Sequence, residues 1–517
     1  VTATASPRGV GAVPPPHPHR WAGLAVLSAS LLLIVMDITI LNVALPEMSA
    51  DLRPGAVELL WMVDAYSLVV AGLLVTAAAL GDRWGRRRML VAGFSVFGLA
   101  SLAVLVAGSP GEVIAIRALL GAGGAMIMPS TLSMIRHLFT DPRERATALG
   151  VWATTAALGA ALGPIIGGLL LEASSWHSAF LVHVPVMAVA IVAALWLLPE
   201  SRNPRPGRWD AAGTVLSIVG MTALVYTIKD VGEDGITGAN LVTGIVAVTG
   251  LGWFVRRCLR RPEPLLDVRL FRGRAFTAGT AVALISSLSI AAMMLLLAQW
   301  MQLVQGYSAL ETGIRLLPEV VGAAVFSPLA PALAARLGAR TVLAGGLAVG
   351  GIGYLVIFVA GEPLGYWPVA ASTFLVGVGM GALAVASAVI MAGAPPERSG
   401  SAAAIEETGY ELGATLGVAV LGSVAAAVYR DGLSGFDLAG HGVSGRAAHD
   451  VRESLGGAME VARGAGAAGN ELAARAQEVF TTSLSWASLA GGALMLGAAG
   501  VVWALTPRDL DIGDAEH

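Results

Sequence analysis
The sequence predicts an all-α integral membrane protein with fourteen transmembrane helices. Of its 517 residues, 56% are hydrophobic and 13% charged, and mean hydropathy is +0.74, outside the range of water-soluble domains. The apolar residues fall into repeated blocks of about 20, the length that crosses a hydrocarbon core. Charge, finally, alternates in sign from one short connection to the next.

The blocks run over 22–45, 59–80, 89–108, 112–138, 147–170, 179–198, 211–228, 239–255, 275–298, 312–334, 341–360, 366–392, 401–428 and 481–505. Each is expected to be a helix. Lipid offers no water to backbone N–H and C=O groups, and the blocks are too long and too evenly apolar for barrel strands.

Arginines crowd alternate connections: Arg83, Arg86, Arg87 and Arg88; Arg136, Arg143 and Arg145; Arg202, Arg205 and Arg208; Arg256, Arg257, Arg260 and Arg261; Arg336 and Arg340; Arg398; and Arg508. The intervening loops carry Glu47, Asp51, Glu58, Glu172, Asp230, Glu233, Asp234 and Glu362. By the positive-inside rule the arginine-rich side is cytosolic. An even number of spans puts both termini there.

Residues 1–20, rich in Pro, His and Gly, are expected to form a disordered cytosolic tail, and 508–517 a second tail. The first apolar block is too long for a signal-peptide core, so it is read as a span. With Cys258 the sole cysteine, no intrachain disulfide can form. All basic residues are Arg except Lys229, a bias read as GC-rich coding rather than function, which favours a bacterial cytoplasmic (inner) membrane.

An internal repeat sets the domain plan. Leu80-Gly-Asp-Arg-Trp-Gly-Arg-Arg87 recurs, weakened, as Leu333-Ala-Ala-Arg-Leu-Gly-Ala-Arg340. The two copies correspond if spans seven and eight are an inserted hairpin, giving a six-helix bundle over 21–200, the hairpin and linkers over 201–274, and a second bundle over 275–507. The long connection 429–480, rich in Gly, Ala and polar residues and weakly helical from about Glu471 to Val479, reads as a flexible extracytoplasmic loop or as a lid over the outer vestibule.

Four motifs carry a family resemblance over most of 22–428. Ala78-Ala-Leu-Gly81-Asp82-Arg83-Trp84-Gly85-Arg86-Arg87 can latch a cytosolic gate by pairing Asp82 with an Arg or a helix N-terminus, or can serve only as topogenic charge. Arg117-Ala-Leu-Leu-Gly121-Ala-Gly-Gly-Ala125 puts an Arg inside span four, at an insertion cost of at least about 2.5–3.5 kcal/mol that demands a partner. Gly159-Ala-Ala-Leu-Gly163-Pro164-Ile-Ile-Gly167-Gly168 provides backbone-to-backbone helix contact and a bend at the proline. Met36-Asp37-Ile-Thr39-Ile-Leu-Asn42-Val-Ala-Leu45-Pro46 buries a carboxylate roughly 13 Å from the outer end of span one.

Together these resemble the fourteen-helix drug:proton antiporter branch of the major facilitator superfamily. The resemblance implies a major facilitator fold of two six-helix bundles plus the hairpin, and export rather than uptake. It also implies proton handling by Arg117, with a purely structural pairing as the alternative. The desolvated Asp37 carboxylate either exchanges a proton for a cationic ligand or is a neutral, hydrogen-bonded structural group. The sequence departs from the family at His183, where Asn is expected; the imidazole either joins a proton path or substitutes as a neutral hydrogen-bonding group.

Further acids lie in spans: Asp64 in span two, Glu319 in span ten, and Glu406, Glu407 and Glu411 in span thirteen. Glu407 and Glu411 share a helix face and Glu406 is turned about 100° away. No Lys or Arg follows before Arg430, so no local ion pair is expected to neutralise them. Asp64 and Glu406 are each read either as cavity groups or as solvated groups near a helix end. Tyr66, Trp152 and Tyr410 are candidates for cation–π contact or for packing. The acidic set is similar to that of quaternary-ammonium exporters, which implies hydrophobic, cationic small-molecule substrates and protons as the exchanged ions.

No phosphate loop, metal-ligand cluster, nucleophilic triad or basic aromatic surface is present. The expected protein is therefore not an enzyme, needs no cofactor beyond the proton gradient, binds no nucleic acid, and works as a monomer in the lipid bilayer. A dedicated exporter of one natural product and a non-transporting receptor or scaffold are the alternatives.

Overall fold
A computed structural model describes residues 17–54, 56–203, 209–395, 398–440, 443–464 and 466–508. Most of both expected tails, with Arg205 and Arg208, fall outside them. Fourteen helical segments are long and apolar enough to cross a membrane, and the described residues contain no strand.

The first bundle comprises α1 (Arg20–Leu52), α2 (Ala56–Trp84), α3 (Arg86–Ala103), α4 (Pro110–Leu138), α5 (Pro142–Ala173) and a sixth span made of α6 (His177–Leu181) and α7 (His183–Leu197). The inserted hairpin is α8 (Ala211–Asp234) and α9 (Gly238–Arg260). The second bundle follows as α10 (Arg274–Gln299), α11 (Ala309–Arg315) with α12 (Leu317–Leu337), α13 (Ala339–Ala360), α14 (Tyr366–Gly379) with α15 (Gly381–Ala392), α16 (Ser399–Leu433) and α19 (Gly466–Leu505).

Local chemistry explains where helices start. At Ser109-Pro110 and Asp141-Pro142 a side-chain oxygen accepts free first-turn N–H groups, while proline at the first position has no donor to satisfy. Asp210 caps α8 through the Gly213 N–H at 3.0 Å and also binds Arg257 of α9 at 2.8 Å, clamping the hairpin at its arginine-rich end. Burial alone pushes the Asp210 carboxyl up, but hydrogen bonds from Arg257 and Gly213 and the charges of Arg257 and Arg261 outweigh it and hold the carboxyl below its ordinary range.

Connection 429–480 is not an open flexible loop. Its described residues form α17 (Gly445–Glu453), α18 (Leu455–Gly464) and the first turns of α19, so the last helix is 40 residues long and starts well before the expected position 481. Val451, Leu455, Ala458, Ala462, Leu472 and Ala476 are buried in the core of the second bundle, which anchors these helices to it.

The two bundles meet unequally along their length. At the arginine-rich end Leu266, Phe276, Met391 and the run Ala402–Ile405 belong to one continuous core with the first bundle. At the opposite end the bundles part around a cavity.

Candidate functional site: a charged cavity between the bundles
The cavity has a volume of about 640 Å³ and is lined by α1, α2, α4 and α8 on one side and by α10 and α16 on the other. Its mouth is marked by Arg430 and by Glu453 at the end of α17, paired at 3.1 Å. Its depth is reached at Tyr66, Arg117 and Glu411, flanked by the apolar Ile38, Leu41 and Val418.

Asp37 and Arg117 form a buried pair, Nη1 to Oδ2 at 2.6 Å, with the two side chains 0% and 2% exposed. The guanidinium also lies 4.7 Å from the centre of the Tyr66 ring; Tyr66 thus makes its cation–π contact with an internal arginine. The cavity reaches Arg117 directly and Asp37 only behind it. His183 is buried on the far side, its Nδ1 3.0 Å from the Phe180 carbonyl oxygen and 3.9 Å from Asp37 Oδ1. Asp37 Oδ1, Arg117 Nε and His183 Nε2 carry no hydrogen bond. Of these three buried atoms Arg117 Nε is a donor, while Asp37 Oδ1 and, with Nδ1–H donating to Phe180, His183 Nε2 are acceptors left without a donor.

Asp64 lines the cavity wall and is ion-paired with Lys229 of α8, whose Nζ also lies 3.2 Å from Ser67 Oγ. Lys229 is within electrostatic reach of Glu411 as well. Lys229, the one lysine of the chain, is thus a cavity residue. It puts a cation within electrostatic reach of Glu411 from 182 positions earlier in the chain, although no ion pair forms with the acids of α16 among the described residues. Sequence spacing carried no signal for this contact, because nothing in it places α8 beside α2 and α16.

The three glutamates of α16 separate by face. Glu411 lines the cavity. Glu407, one turn deeper, is 1% exposed and its Oε1 lacks any hydrogen-bond partner. Glu406 turns into the second bundle, where Ser387 and Tyr410 donate hydrogen bonds to it, the latter at 3.0 Å. Glu319 is half-buried in the second bundle near Tyr354 and is not among the cavity-lining residues. Trp152 is packed in the core of the first bundle.

The arginine-rich end is tied shut by contacts within the first bundle and its linker and by contacts that cross to the second. Arg86 binds Asp82 at 2.7 Å and donates to Ser201 Oγ at 2.9 Å. The Asp82 carboxylate lies directly against Gly400 in the first turn of α16, where a Cβ would overlap it; a carboxylate there faces the positive end of the α16 dipole. Arg136, at the end of α4, donates to the carbonyl oxygens of Met391 and Ala394 at the end of α15. Arg398 pairs with Asp267. Arg83 lines a separate surface concavity with Trp84, Arg88 and Arg202. Glu200, unnoticed in the sequence, gathers Arg87 and Arg88 at 3.9 and 3.7 Å beside Gly85.

Gly85 and Gly338 hold the repeat's backbone signature, with φ of 118° and 86° at the start of α3 and α13. The second copy has alanine at both latch positions, Ala335 and Ala339. Alanine at Gly338, which has open space, is expected to cost about 1–2 kcal/mol for the left-handed backbone alone. Gly85→Ala should cost more, because its Cβ also collides with Glu200. Thermal unfolding of the two variants in detergent checks this; equal losses would show that Glu200 yields freely.

Comparison with known proteins agrees with this architecture. The family model described as Major Facilitator Superfamily matches residues 27–318 and 319–430. The chain belongs to the major facilitator superfamily. Among curated relatives, the "Multidrug efflux pump LfrA" of Mycolicibacterium smegmatis is 38% identical over 94% of this chain and 96% of its own length. The "Methyl viologen resistance protein SmvA" of Salmonella typhimurium is 36% identical over 78% of this chain and 82% of its own. The crystal structure of the human organic anion transporter MFSD10 shares the fold at 13% identity, with a TM-score of 0.58, covering 93% of this chain and 100% of that one.

In this major facilitator chain the glycine-rich motif of α5 is a packing surface for α1. A Cβ on Gly159 would stand 2.6 Å from the Leu32 carbonyl oxygen, one on Gly163 would overlap the Thr39 hydroxyl, and one on Gly167 would meet Ile40 at 3.4 Å. Gly168 faces α11 with room to spare. Pro164 lies inside the same helix. The motif therefore sets how closely α5 approaches the segment of α1 that carries Asp37.

Proposed function
We propose that this chain is a proton-coupled antiporter that exports hydrophobic, cationic compounds by alternating access of its two bundles. It would work as a monomer in a bacterial cytoplasmic membrane with both termini and the arginine-rich end in the cytosol. The observation that carries the reading is a charged cavity between the bundles, open at one end and tied shut at the other. It is lined by carboxylates and apolar side chains and backed by the Asp37–Arg117 pair. Carboxylates at the depth of a low-dielectric cavity attract a lipophilic cation and are equally served by a proton, so that one displaces the other. The membrane potential adds about 2.3 kcal/mol per charge per 100 mV to the proton gradient. The relatives named as efflux and resistance proteins support the substrate class.

Ethidium efflux from cells lacking their own major exporters tests it. Expression is expected to raise efflux severalfold, an uncoupler to remove the gain, and Glu407→Gln or Glu411→Gln to reduce it by at least tenfold. Well-expressed protein that moves no ethidium, while exporting one neutral or anionic compound, would replace the reading with a dedicated natural-product exporter.

A further inference from the structure
Charge pairing within the cavity leaves a remainder. Six charged side chains line it: Asp64, Glu411 and Glu453, and Arg117, Lys229 and Arg430. Arg430 takes Glu453 at the mouth, Arg117 takes Asp37 behind the wall, and Lys229 takes Asp64. Among the described residues the Glu411 carboxylate has neither an ion pair nor a hydrogen bond to its side chain, and Lys229 acts on it only at longer range. One carboxylate charge is thus left for a ligand, and a second is covered by an ammonium group on the protein.

Lys229 is well placed to be that cover. It is the only lysine in the chain, on a flexible stem that can withdraw its point charge from a carboxylate without unfolding anything. It is 25% exposed and the Asp64 side chain 13% exposed, so the pair borders open cavity rather than sealed core. The helix that bears it is held independently, by stacking of Trp61 on Tyr226 and by close approach of α8 to Gly72 of α2. The pair is therefore not needed to dock the hairpin.

We propose that Lys229 is a tethered counter-cation, a specificity-determining residue that occupies one of the cavity's two carboxylate positions. The native site then takes substrates with one positive charge and disfavours those with two. The inference rests on the cation-export reading and adds what sets the charge class. With Lys229 in place a monocation meets Glu411, whereas a dication must also expel the ammonium group from Asp64.

The test is binding of ethidium, a monocation, and methyl viologen, a dication, to purified wild type, Lys229→Gln and Lys229→Arg. In Lys229→Gln the ratio of the two dissociation constants is expected to move at least tenfold in favour of the dication; Lys229→Arg should keep the wild-type ratio. A ratio unchanged in Lys229→Gln, with ethidium still bound, would overturn the counter-cation and leave the export reading standing. Failure of all three proteins to bind either compound would overturn both.

A second measurement needs no variant. Reductive methylation of the wild type with ¹³C-formaldehyde tags the α-amino terminus, recognised by its titration near pH 8, and one side chain, Lys229, whose methyl resonance is expected to shift on saturation with methyl viologen as the ammonium group leaves Asp64. An unmoved resonance with methyl viologen bound would make the pair a fixed structural staple and overturn the proposal.

Discussion
Asp37→Asn is expected to reduce uncoupler-sensitive ethidium efflux by at least a hundredfold, the largest loss from any single isosteric change in this chain. The substitution keeps the size of the side chain and removes its charge, leaving the Arg117 guanidinium buried without a counter-ion, since Asp37 Oδ2 is its hydrogen-bond partner at 2.6 Å. Removing one member of a buried pair costs about 3–5 kcal/mol in soluble proteins, so stability should fall too. The double variant Asp37→Asn/Arg117→Met separates the two effects. It removes both charges, so thermal stability in detergent should return toward wild type while efflux stays lost. Recovery of efflux in the double variant would reduce the pair to a structural role and move the proton path to Glu407 and Glu411.

What the sequence made legible follows the range over which its signals act. Span lengths and loop charges are local, so the helices were readable to within a few residues through α16. The repeat was readable as well, because Gly85 and Gly338 are each needed for a backbone that other residues resist. The last helix was only partly legible: Glu471 to Val479 read as weakly helical, but α17, α18 and the start of α19 are too polar and Gly-rich to register as apolar blocks. Yet Val451, Leu455, Ala458 and Ala462 recur every three or four positions, the period of a helix with one buried face, and that signal was available. Asp37, Arg117 and Glu411 were identifiable because charge is costly in hydrocarbon wherever it occurs. Their partners were not. Asp37 meets Arg117 across 80 residues and Asp64 meets Lys229 across 165, and only the packing of whole helices fixes such pairs.

The closed end and the cavity are two parts of one arrangement. Asp82 against the first turn of α16 and Arg136 against the end of α15 hold the second bundle's α15 and α16 to the first bundle at the arginine-rich end. The same α16 carries Glu407 and Glu411 farther along its length. On the proposed alternating-access reading, a rocking motion that opens the cavity toward the arginine-rich side would have to break those contacts and shift both glutamates relative to Asp64 and Arg117, coupling gate and site.

Gly159→Ala is expected to lower efflux at least tenfold and to be far more damaging than alanine at Gly167 or Gly168 in the same α5 motif. The added methyl group meets a backbone oxygen, Leu32 O, at 2.6 Å, and a backbone oxygen cannot rotate away. The helices must separate instead, and overpacking of this kind costs about 1–3 kcal/mol. Displacing α1 also moves Asp37, five residues along the same helix, against an Arg117 contact of 2.6 Å. Gly163→Ala should be comparably damaging: turning the Thr39 hydroxyl away still leaves Thr39 Cβ at 2.8 Å and the Met36 carbonyl oxygen at 3.1 Å, and neither can rotate aside. Gly167→Ala meets Ile40 at 3.4 Å and should be milder, and Gly168→Ala, with nothing nearer than 4.0 Å, should stay within twofold of wild type. The order of the four is the measurement. If Gly168→Ala were as damaging as Gly159→Ala, the motif would act through the flexibility of α5 around Pro164 and not through its closeness to α1.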